Sequence, residues 1–551
     1  MELSSCKGTG TRLYPVWRRS LTRLRCVLRP AHQGYRTANL GTACAMTSTT
    51  SRPTDSLWLA AAPPTVYPSL DVDLPVDVAV IGGGIAGVSA ALALKREGAR
   101  VALLERGVIC GGATGLTTAK VSALQETKYS EIRKLHGDDI SAAYARASLA
   151  AVARIDELVR EEQLDCAWER VAAYTYAADA QQADAVDREA DAARAAGLDV
   201  RMASQVGLPF DVVQALALDD QGQLDPVRYV RGLAAAVDGD GSHVFESSAV
   251  CDVEEGAPCC VRTLGGASVV AGDVIVATNY PLLDRGLFFA RTEVARSYLV
   301  AARLRGPGPR GMFITAGEPS RSLRSYHDGE DHWLLVGGEG HVTGSDEAQP
   351  ARFDALEAFA REHFDVVDVP YRWSTQDGMP ADKLPYIGLY TPTSEHLFVA
   401  AGFQKWGMTN ATIAAPVLAD QIAGRDNAYA DVFDPNRATV RSAPAVAKAQ
   451  LWVARHMVGD RLTPADTRSA ADVPAGEARV VRSGLGKIGV YRDEAGVAHG
   501  VSLRCTHLGC LLHFNDAERS WDCPCHGSRY DIDGAVLAGP AVDPLERRDA
   551  T

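Results

Sequence analysis

The sequence lacks any uninterrupted run of 18 or more apolar residues, the length that a helix needs to cross a bilayer. Arg, Asp or Glu interrupts each apolar stretch, so we predict no integral membrane segment and a cytoplasmic protein. The chain also lacks a general excess of basic residues, because its formal net charge is −13. The phosphate-neutralising surface that nucleic acids require is therefore not expected, and we predict no nucleic-acid partner.

The composition is that of a globular protein with several cores. The chain has 551 residues, of which 46% are hydrophobic and 23% are charged. At roughly 150 residues per domain, this length suggests three or four domain-sized units. A single small module is excluded.

Residues 1–50 differ from the rest of the chain. They contain eight Lys or Arg residues against Glu2 alone. We predict a basic, disordered leader over residues 1–55, with an organelle transit peptide or a twin-arginine export signal at Arg18-Arg19 as alternatives. The export signal is disfavoured, because arginines interrupt the apolar region that should follow.

A glycine-rich motif lies within residues 76–106, VDVAVIGGGIAGVSAALALKREGARVALLER. The segment consists of an apolar run, a glycine turn, a stretch with helical periodicity and a second apolar run. This order predicts a βαβ unit. Gly82, Gly84 and Gly87 form G-x-G-x-x-G, in which the glycines allow the tight turn, the approach of a pyrophosphate and close helix packing. Glu105 ends the second run, where an acid can bind a ribose hydroxyl, and its charge disfavours a 2′-phosphate. The motif alone is weak evidence, but its context predicts dinucleotide binding.

Four further segments are similar to the D-amino-acid oxidase and glycine oxidase superfamily of FAD enzymes. They are GGATGLTTAKVSAL at 111–124, LDPVRYVRGLA at 224–234, VIVATNYP at 274–281 and LFVAAGFQKWGMTNATIAAPVLADQIAG at 397–424. The resemblance implies FAD as the cofactor. The candidate FAD-binding residues are Gly82, Gly84, Gly87, Glu105, Arg106, Ala113, Thr114, Thr118, Gly402, Gly407 and Met408.

The resemblance also implies an architecture, α/β plus all-β. We expect a Rossmann-like FAD-binding domain from about 75–125, 224–282 and 385–425, interleaved with an antiparallel-sheet substrate domain from about 126–220 and 285–384. A linker containing one helix is expected at 426–474, and a small β domain at 475–551.

The strongest motif lies in this last segment. CTHLGC at 505–510 and CPCHGSRY at 523–530 supply Cys505 with His507, and Cys523 with His526. These pairs match Rieske 2Fe-2S ligation, in which two thiolates hold one iron and two imidazoles the other. Zinc is the competing interpretation, because two Cys and two His also suit a tetrahedral site. Zinc fingers use different spacings, however, and do not explain the two remaining cysteines.

The segment resembles the disulfide-containing respiratory Rieske proteins. That resemblance implies a disulfide between Cys510 and Cys525 that clamps the two ligand loops. It also implies that Ser528 and Tyr530 donate hydrogen bonds to a bridging sulfide and to a ligand sulfur, which raises the reduction potential. Turn chemistry and packing are the alternative roles of these two residues.

We therefore predict an FAD-dependent oxidoreductase with a 2Fe-2S cluster, and name a dehydrogenase as the leading hypothesis. It would oxidise a small amine or amino-acid-like donor and pass electrons from flavin to the cluster and then to an external acceptor. The alternatives are a reductase fed by NAD(P)H or a carrier, although only one G-x-G-x-x-G is evident, and a redox-sensing interaction module. Catalytic residues are not identifiable. Four arginines could bind a substrate carboxylate, or could be solvated or salt-bridged instead: Arg291, Arg296, Arg321 and Arg324.

Overall fold

The computed structural model describes residues 56–345, 349–437, 440–483 and 486–550. The expectations for the basic leader fall on residues outside this described part. Among the described residues, no helix is both long enough and apolar enough to cross a membrane.

Helices and strands alternate through most of the chain. The helices are α1 Leu57–Ala61, α2 Ile85–Arg96, α3 Lys128–His136, α4 Asp138–Glu161, α5 Ala180–Ala195, α6 Pro226–Val237, α7 Gln349–His363, α8 Gly407–Ile422, α9 Ala430–Phe433 and α10 Ala443–Leu462. The strands are β1 Leu74–Ile81, β2 Val101–Leu104, β3 Lys120–Val121, β4 Glu169–Ala177, β5 Arg201–Ala203, β6 Gln214–Gln223, β7 His243–Phe245, β8 Val250–Glu254, β9 Cys259–Thr263, β10 Ser268–Val276, β11 Thr292–Leu304, β12 Met312–Thr315, β13 Arg321–Asp328, β14 Asp331–Val342, β15 Val366–Pro380, β16 Tyr386–Leu389, β17 Leu397–Ala401, β18 Ala478–Ser483, β19 Gly486–Arg492, β20 Ala498–Ser502, β21 His513–Asn515, β22 Ser520–Asp522, β23 Arg529–Tyr530 and β24 Val536–Ala538.

The first sheet has five parallel strands in the order β17-β10-β1-β2-β7. β16 pairs antiparallel with β17, and the β8-β9 hairpin extends from β10. Strand β1 ends in the buried run 78–81, as expected of a central parallel strand that is covered on both faces. A Cβ at Gly87 would lie 1.9 Å from the Gly82 oxygen, so only glycine allows α2 to pack this closely on the turn after β1.

The second sheet has nine strands in the order β15-β11-β14-β13-β12-β4-β6-β3, with β5 beside β6. Its pairs are antiparallel except β12 with β4. Helix α7 packs on β11 and β14, and α4 contacts α8, which belongs to the parallel-sheet domain. The two sheets thus share one extended core, and the predicted combination of an α/β domain with an antiparallel-sheet domain is confirmed.

The C-terminal domain is all-β, as predicted. It combines a three-stranded sheet, β18-β19-β20, with a four-stranded sheet, β21-β22-β23-β24. Helix α10 lies where we expected a helix in a linker, and its Val453 and Met457 pack on the core of this domain. Its Gln450 side chain also donates a hydrogen bond to the Ala290 carbonyl at 2.7 Å. The helix therefore contacts both the C-terminal domain and the segment that precedes β11.

A buried ion-pair network joins the C-terminal domain to the second sheet. Arg296 on β11 pairs with Glu518, in the turn between β21 and β22, and the two side chains are 1% and 6% exposed. Glu518 also accepts from Arg529 at 3.0 Å, and Arg529 pairs with Asp522 at 2.9 Å. Two cations and two anions balance inside a dry interface, and the loss of one member would leave a buried charge uncompensated.

We expect Glu518→Gln to destabilise the protein by about 3 kcal/mol, because Arg296 and Arg529 would then share a single remaining carboxylate. Urea unfolding of the cofactor-loaded protein measures this loss. Glu161→Gln is the matched control, since Glu161 pairs with Arg96 at 2.7 Å on the surface; its cost should be below about 1 kcal/mol. Equal costs for the two variants would contradict the structural role of the buried network.

Candidate functional site

A cavity of about 980 Å³ lies between the two sheets and the C-terminal domain. This volume is at the upper end of the range for cofactor and ligand sites. Nine of the eleven candidate FAD-binding residues line it: Gly82, Gly84, Glu105, Arg106, Ala113, Thr114, Thr118, Gly407 and Met408. The cavity thus begins at the N-terminus of α2, where backbone N–H groups and the helix dipole favour phosphate.

Glu105 and Thr114 hold the glycine turn in shape. The two carboxylate oxygens of Glu105 accept hydrogen bonds from the Gly83 and Gly107 amides at 2.7 and 2.8 Å. The Thr114 hydroxyl accepts from the Ile85 amide at 3.1 Å, in the first turn of α2. Glu105 was predicted as a ribose ligand only, whereas here it also organises the turn that would meet the pyrophosphate.

Gly87 and Gly402 do not line the cavity. Gly87 serves the packing of α2, as described above. Gly402 has a φ of +73° directly after β17, and a Cβ there would lie 2.6 Å from the Pro380 side chain. This left-handed backbone conformation directs the chain into residues 403–408, several of which line the cavity. Gly402 therefore positions cavity residues without lining the cavity itself.

The four arginines proposed as carboxylate ligands all lie outside the cavity lining. Their guanidinium groups have partners in the chain, two of them in salt bridges and two on backbone carbonyls. Arg291 donates to the carbonyls of Pro435 and Gly286, Arg321 pairs with Glu339, Arg324 donates to the carbonyls of Thr118, Ala119 and Leu224, and Arg296 pairs with Glu518.

The part of the cavity beside the second sheet carries two acids, Glu126 and Asp377. Burial raises the pKa of both carboxyls, and the positive charge of Lys405 partly counters this increase. A second lysine, Lys120, donates to the Phe313 carbonyl and the Ser322 hydroxyl, and burial lowers its pKa well below the ordinary value. None of these two acids and two lysines was predicted as a site residue, because isolated acids and lysines do not form a recognisable sequence motif.

The two C-terminal motifs come together at one point. Cys505 and Cys523 are buried with their sulfurs in hydrogen-bond contact, which lowers the pKa of Cys505 and raises that of Cys523. His507 and His526 lie side by side with ring centroids 5.0 Å apart. The Nδ1 atoms of both rings are buried and have no hydrogen-bond partner within the described chain. Two thiols and two orphaned imidazole nitrogens suit the ligand set of a Rieske cluster.

A disulfide joins Cys510 to Cys525, one cysteine from each ligand loop. Its sulfurs lie within 4.8 Å of the Cys523 sulfur. The bond therefore crosslinks the loops beside the cluster position, and the same two loops place all four candidate ligands.

The structure places Tyr530 beside a candidate ligand sulfur, whereas the predicted bond from Ser528 to a bridging sulfide stays a prediction. The Tyr530 hydroxyl is 3.3 Å from the Cys505 sulfur, and it also accepts from the Thr506 amide at 3.2 Å. The Ser528 hydroxyl is buried and accepts from the Ala541 amide at 3.1 Å. Hydrogen bonds to a ligand sulfur stabilise the more negative, reduced cluster.

The loop 539–544, which bonds to neighbours of these ligands, also lines the cofactor cavity. Gly539, Pro540, Ala541, Val542 and Pro544 line the cavity. The loop is tied to the ligand loops, because the Thr506 hydroxyl donates to the Asp543 carbonyl at 2.7 Å and Ala541 contacts Ser528 as above. Arg106, a predicted cofactor residue, donates to the Leu537 carbonyl of the same domain.

The imidazole side of the ligand set faces the FAD-binding half of the chain. The His507 Nε2 atom is 2.6 Å from the Asp284 carboxylate, and the Phe289 ring lies 5.4 Å from the ring of His526. Tyr280 lines the cavity, and its pKa is raised by burial and by the negative charges of Asp284 and Cys523, among others. These contacts join residues more than 200 positions apart, so no local sequence signal could have revealed them.

Comparisons with known proteins agree with this geometry. A family model for FAD dependent oxidoreductases (DAO) matches residues 77–421, and one for the Rieske [2Fe-2S] domain matches residues 464–548. The Bacillus subtilis protein YhfW, named as a Rieske 2Fe-2S iron-sulfur protein, is 32% identical over 90% of this chain and 97% of its own. Gamma-glutamylputrescine oxidoreductase of Escherichia coli is 24% identical over 66% of this chain and 88% of its own.

The fold has solved counterparts as well. Glycine oxidase from Geobacillus kaustophilus superposes with a TM-score of 0.56 at 20% identity, covering 66% of this chain and 99% of its own. The FAD-binding and cluster-binding predictions are therefore confirmed at the level of the cofactors. The chain belongs to the DAO family of FAD-dependent oxidoreductases and carries a Rieske 2Fe-2S domain at its C-terminal end.

Proposed function

We propose that the protein is a dehydrogenase that oxidises a small amine and passes the electrons from FAD to the Rieske cluster and on to an external acceptor. Bound FAD accepts two electrons as a hydride, whereas a 2Fe-2S cluster carries one electron at a time. The amine would lose a hydride and a proton to become an imine, which water hydrolyses to a carbonyl compound and ammonia. The two electrons would leave singly.

One observation carries this proposal. The loop 539–544 lines the cofactor cavity, and it also bonds to residues beside the candidate ligands, through Ala541 to Ser528 and through Asp543 to Thr506. One loop thus contacts both sites. This proximity favours electron exchange within the chain, and an oxidase that reduces oxygen directly has no need of it.

The ligand assignment follows from the same geometry. We assign Cys505 and Cys523 to one iron, and His507 and His526, through the orphaned Nδ1 atoms, to the other. The Asp284 carboxylate then fixes the orientation of the His507 ring from the flavin side. In this position the imidazoles face the internal donor.

The charges of the cavity favour an amine over an amino acid. An α-carboxylate is usually met by an arginine fork, and the four candidate arginines are engaged elsewhere. Glu126 and Asp377 instead present carboxyl groups beside the second sheet. One of them can bind a substrate ammonium group.

We expect a suitable amine to reduce both centres anaerobically in the wild-type protein. In His507→Ala, the amine should still reduce the flavin, but turnover with a one-electron acceptor should fall by about 100-fold or more, because the second iron loses a ligand. Stopped-flow absorbance follows the flavin, and electron paramagnetic resonance follows the cluster.

His499→Ala is the matched control, since His499 lies in the same domain and bonds Asp533 at 3.1 Å, away from the ligands. Its turnover should match that of the wild type. A cluster that stays oxidised beside reduced flavin, or reduction by NADH alone, would refute the proposed direction of electron flow.

Glu126→Gln should raise the KM for the amine by about 10-fold or more, because a hydrogen bond to a charged group contributes about 1.5–3 kcal/mol. FAD content should not change. Glu131→Gln provides the comparison, since Glu131 pairs with Lys383 on the surface at 3.1 Å. Steady-state kinetics with amines and the corresponding α-amino acids test whether the cavity prefers an amine. Faster turnover of the amino acids would argue against an amine site.

Tyr530→Phe should lower the midpoint potential of the cluster by about 60 mV, because one hydrogen bond of about 1.4 kcal/mol to the ligand sulfur is lost. Redox titration of the purified protein measures the shift. Tyr491→Phe serves as a control, since Tyr491 is buried in the same domain but contacts Phe514 instead of a ligand. A potential that is unchanged in Tyr530→Phe would leave Tyr530 with a packing role.

A further inference from the structure

Two histidines and one aspartate meet at the junction of α10, the Rieske domain and the loop after β14. His456 and Asp460 lie one turn apart on α10, and His513 begins β21. One Asp460 carboxylate oxygen is 2.9 Å from His456 Nδ1 and 3.1 Å from His513 Nε2. One ligand atom from each residue lies within 4.8 Å of the other two. We call these three residues the junction triad.

The hydrogen bonding of His513 calls for a proton or a metal ion between its ring and Asp460. Its Nδ1 atom is 2.9 Å from the Gly344 carbonyl oxygen, which can only accept, so Nδ1 carries the hydrogen. In the neutral ring, Nε2 is then a lone pair that points at the Asp460 carboxylate. Two acceptors at 3.1 Å repel each other unless a proton or a metal ion lies between them.

His456 points a second nitrogen at the same carboxylate oxygen. Its ring is buried against Trp452, with centroids 4.4 Å apart, and its Nε2 atom has no partner among the described residues. Hydrogens on both ring nitrogens would give this oxygen two hydrogen bonds, whereas a metal ion would bind both nitrogens and the oxygen together. The N···O distances are close to the ~3.3 Å that a tetrahedral ion with bonds of 2.0–2.1 Å imposes.

We propose that the junction triad binds a zinc ion. Two imidazole nitrogens and one carboxylate oxygen are zinc ligands, and the bond from His513 to the Gly344 carbonyl is the outer support that zinc-bound histidines commonly have. The side chains of Asp460 and His513 are 18% and 34% exposed, so water can occupy the fourth position. The site is separate from the cluster ligands and does not depend on the proposed electron transfer.

The ion would fasten three parts of the molecule. Gly344 packs on Pro524, the residue between the candidate ligand Cys523 and the disulfide residue Cys525, since a Cβ at Gly344 would lie 2.8 Å from the Pro524 backbone. Trp452 of α10 also donates to the Pro524 carbonyl, at 3.1 Å. A zinc ion at the triad would therefore hold α10 and the second ligand loop against the substrate-domain loop.

The test is a zinc titration of the cluster-loaded, full-length protein after metal removal on a chelating resin. Iron and sulfide are assayed alongside, so that zinc in the cluster position would be detected. We expect one zinc per chain, an affinity at least ~10-fold weaker in Asp460→Asn and in His513→Gln, and a rise in Tm with zinc that is smaller in these two variants than in the wild type. His499→Ala should bind zinc as the wild type does.

Anomalous scattering at the zinc edge locates the ion directly and does not depend on how the variants fold. Zinc density between His456, Asp460 and His513 is the expected result. The proposal fails if the wild type binds no zinc, if zinc binds elsewhere, or if the Asp460 and His513 variants bind it as tightly as the wild type.

Discussion

The docking of the Rieske domain on the flavin enzyme depends on a buried charge network, and the rest of the functional architecture depends on that docking. Arg296 and Glu518 meet in an interface that excludes water, with Arg529 and Asp522 completing the balance. A buried ion pair adds little net stability compared with apolar packing, but it penalises any alternative position of the domain strongly. The network therefore selects one arrangement in which the cluster loop closes the cofactor cavity.

This fixed docking differs from the joining of two domains by a flexible tether. A flexible tether raises only the local concentration of the second domain. Here α10 packs on the Rieske core and bonds to residues on the flavin side, and the ligand histidines contact Asp284 and Phe289. The two redox sites are thus held at one separation, and electron transfer does not have to wait for the domains to meet.

The sequence predicted the binding motifs whose residues lie close together in the chain. Gly82, Gly84 and Gly87 need one turn and one helix, and the C-x-H and C-x-x-H pairs need one loop each, so local patterns predicted a dinucleotide and a 2Fe-2S cluster. The choice of FAD and the fold class followed from the family resemblance. The role of the arginines could not be predicted, because an arginine that binds a substrate and one that binds its own chain look alike in the sequence. Arg296 became a docking residue only through Glu518, 222 positions away.

The orientation of the ligand histidines carries one more consequence. In a cluster whose imidazoles face outward, an external protein can exchange electrons at that edge. Here the side chain of His507 is 5% exposed and the ring of His526 is buried. Under the proposed direction of electron flow, electrons that enter the cluster from the flavin side through these rings would leave by another route, either past the ligand loops or after a movement of the domain. The Arg296–Glu518 network opposes such a movement, so the closed arrangement favours an exit through the ligand loops, where the neighbouring Leu508 side chain is 39% exposed.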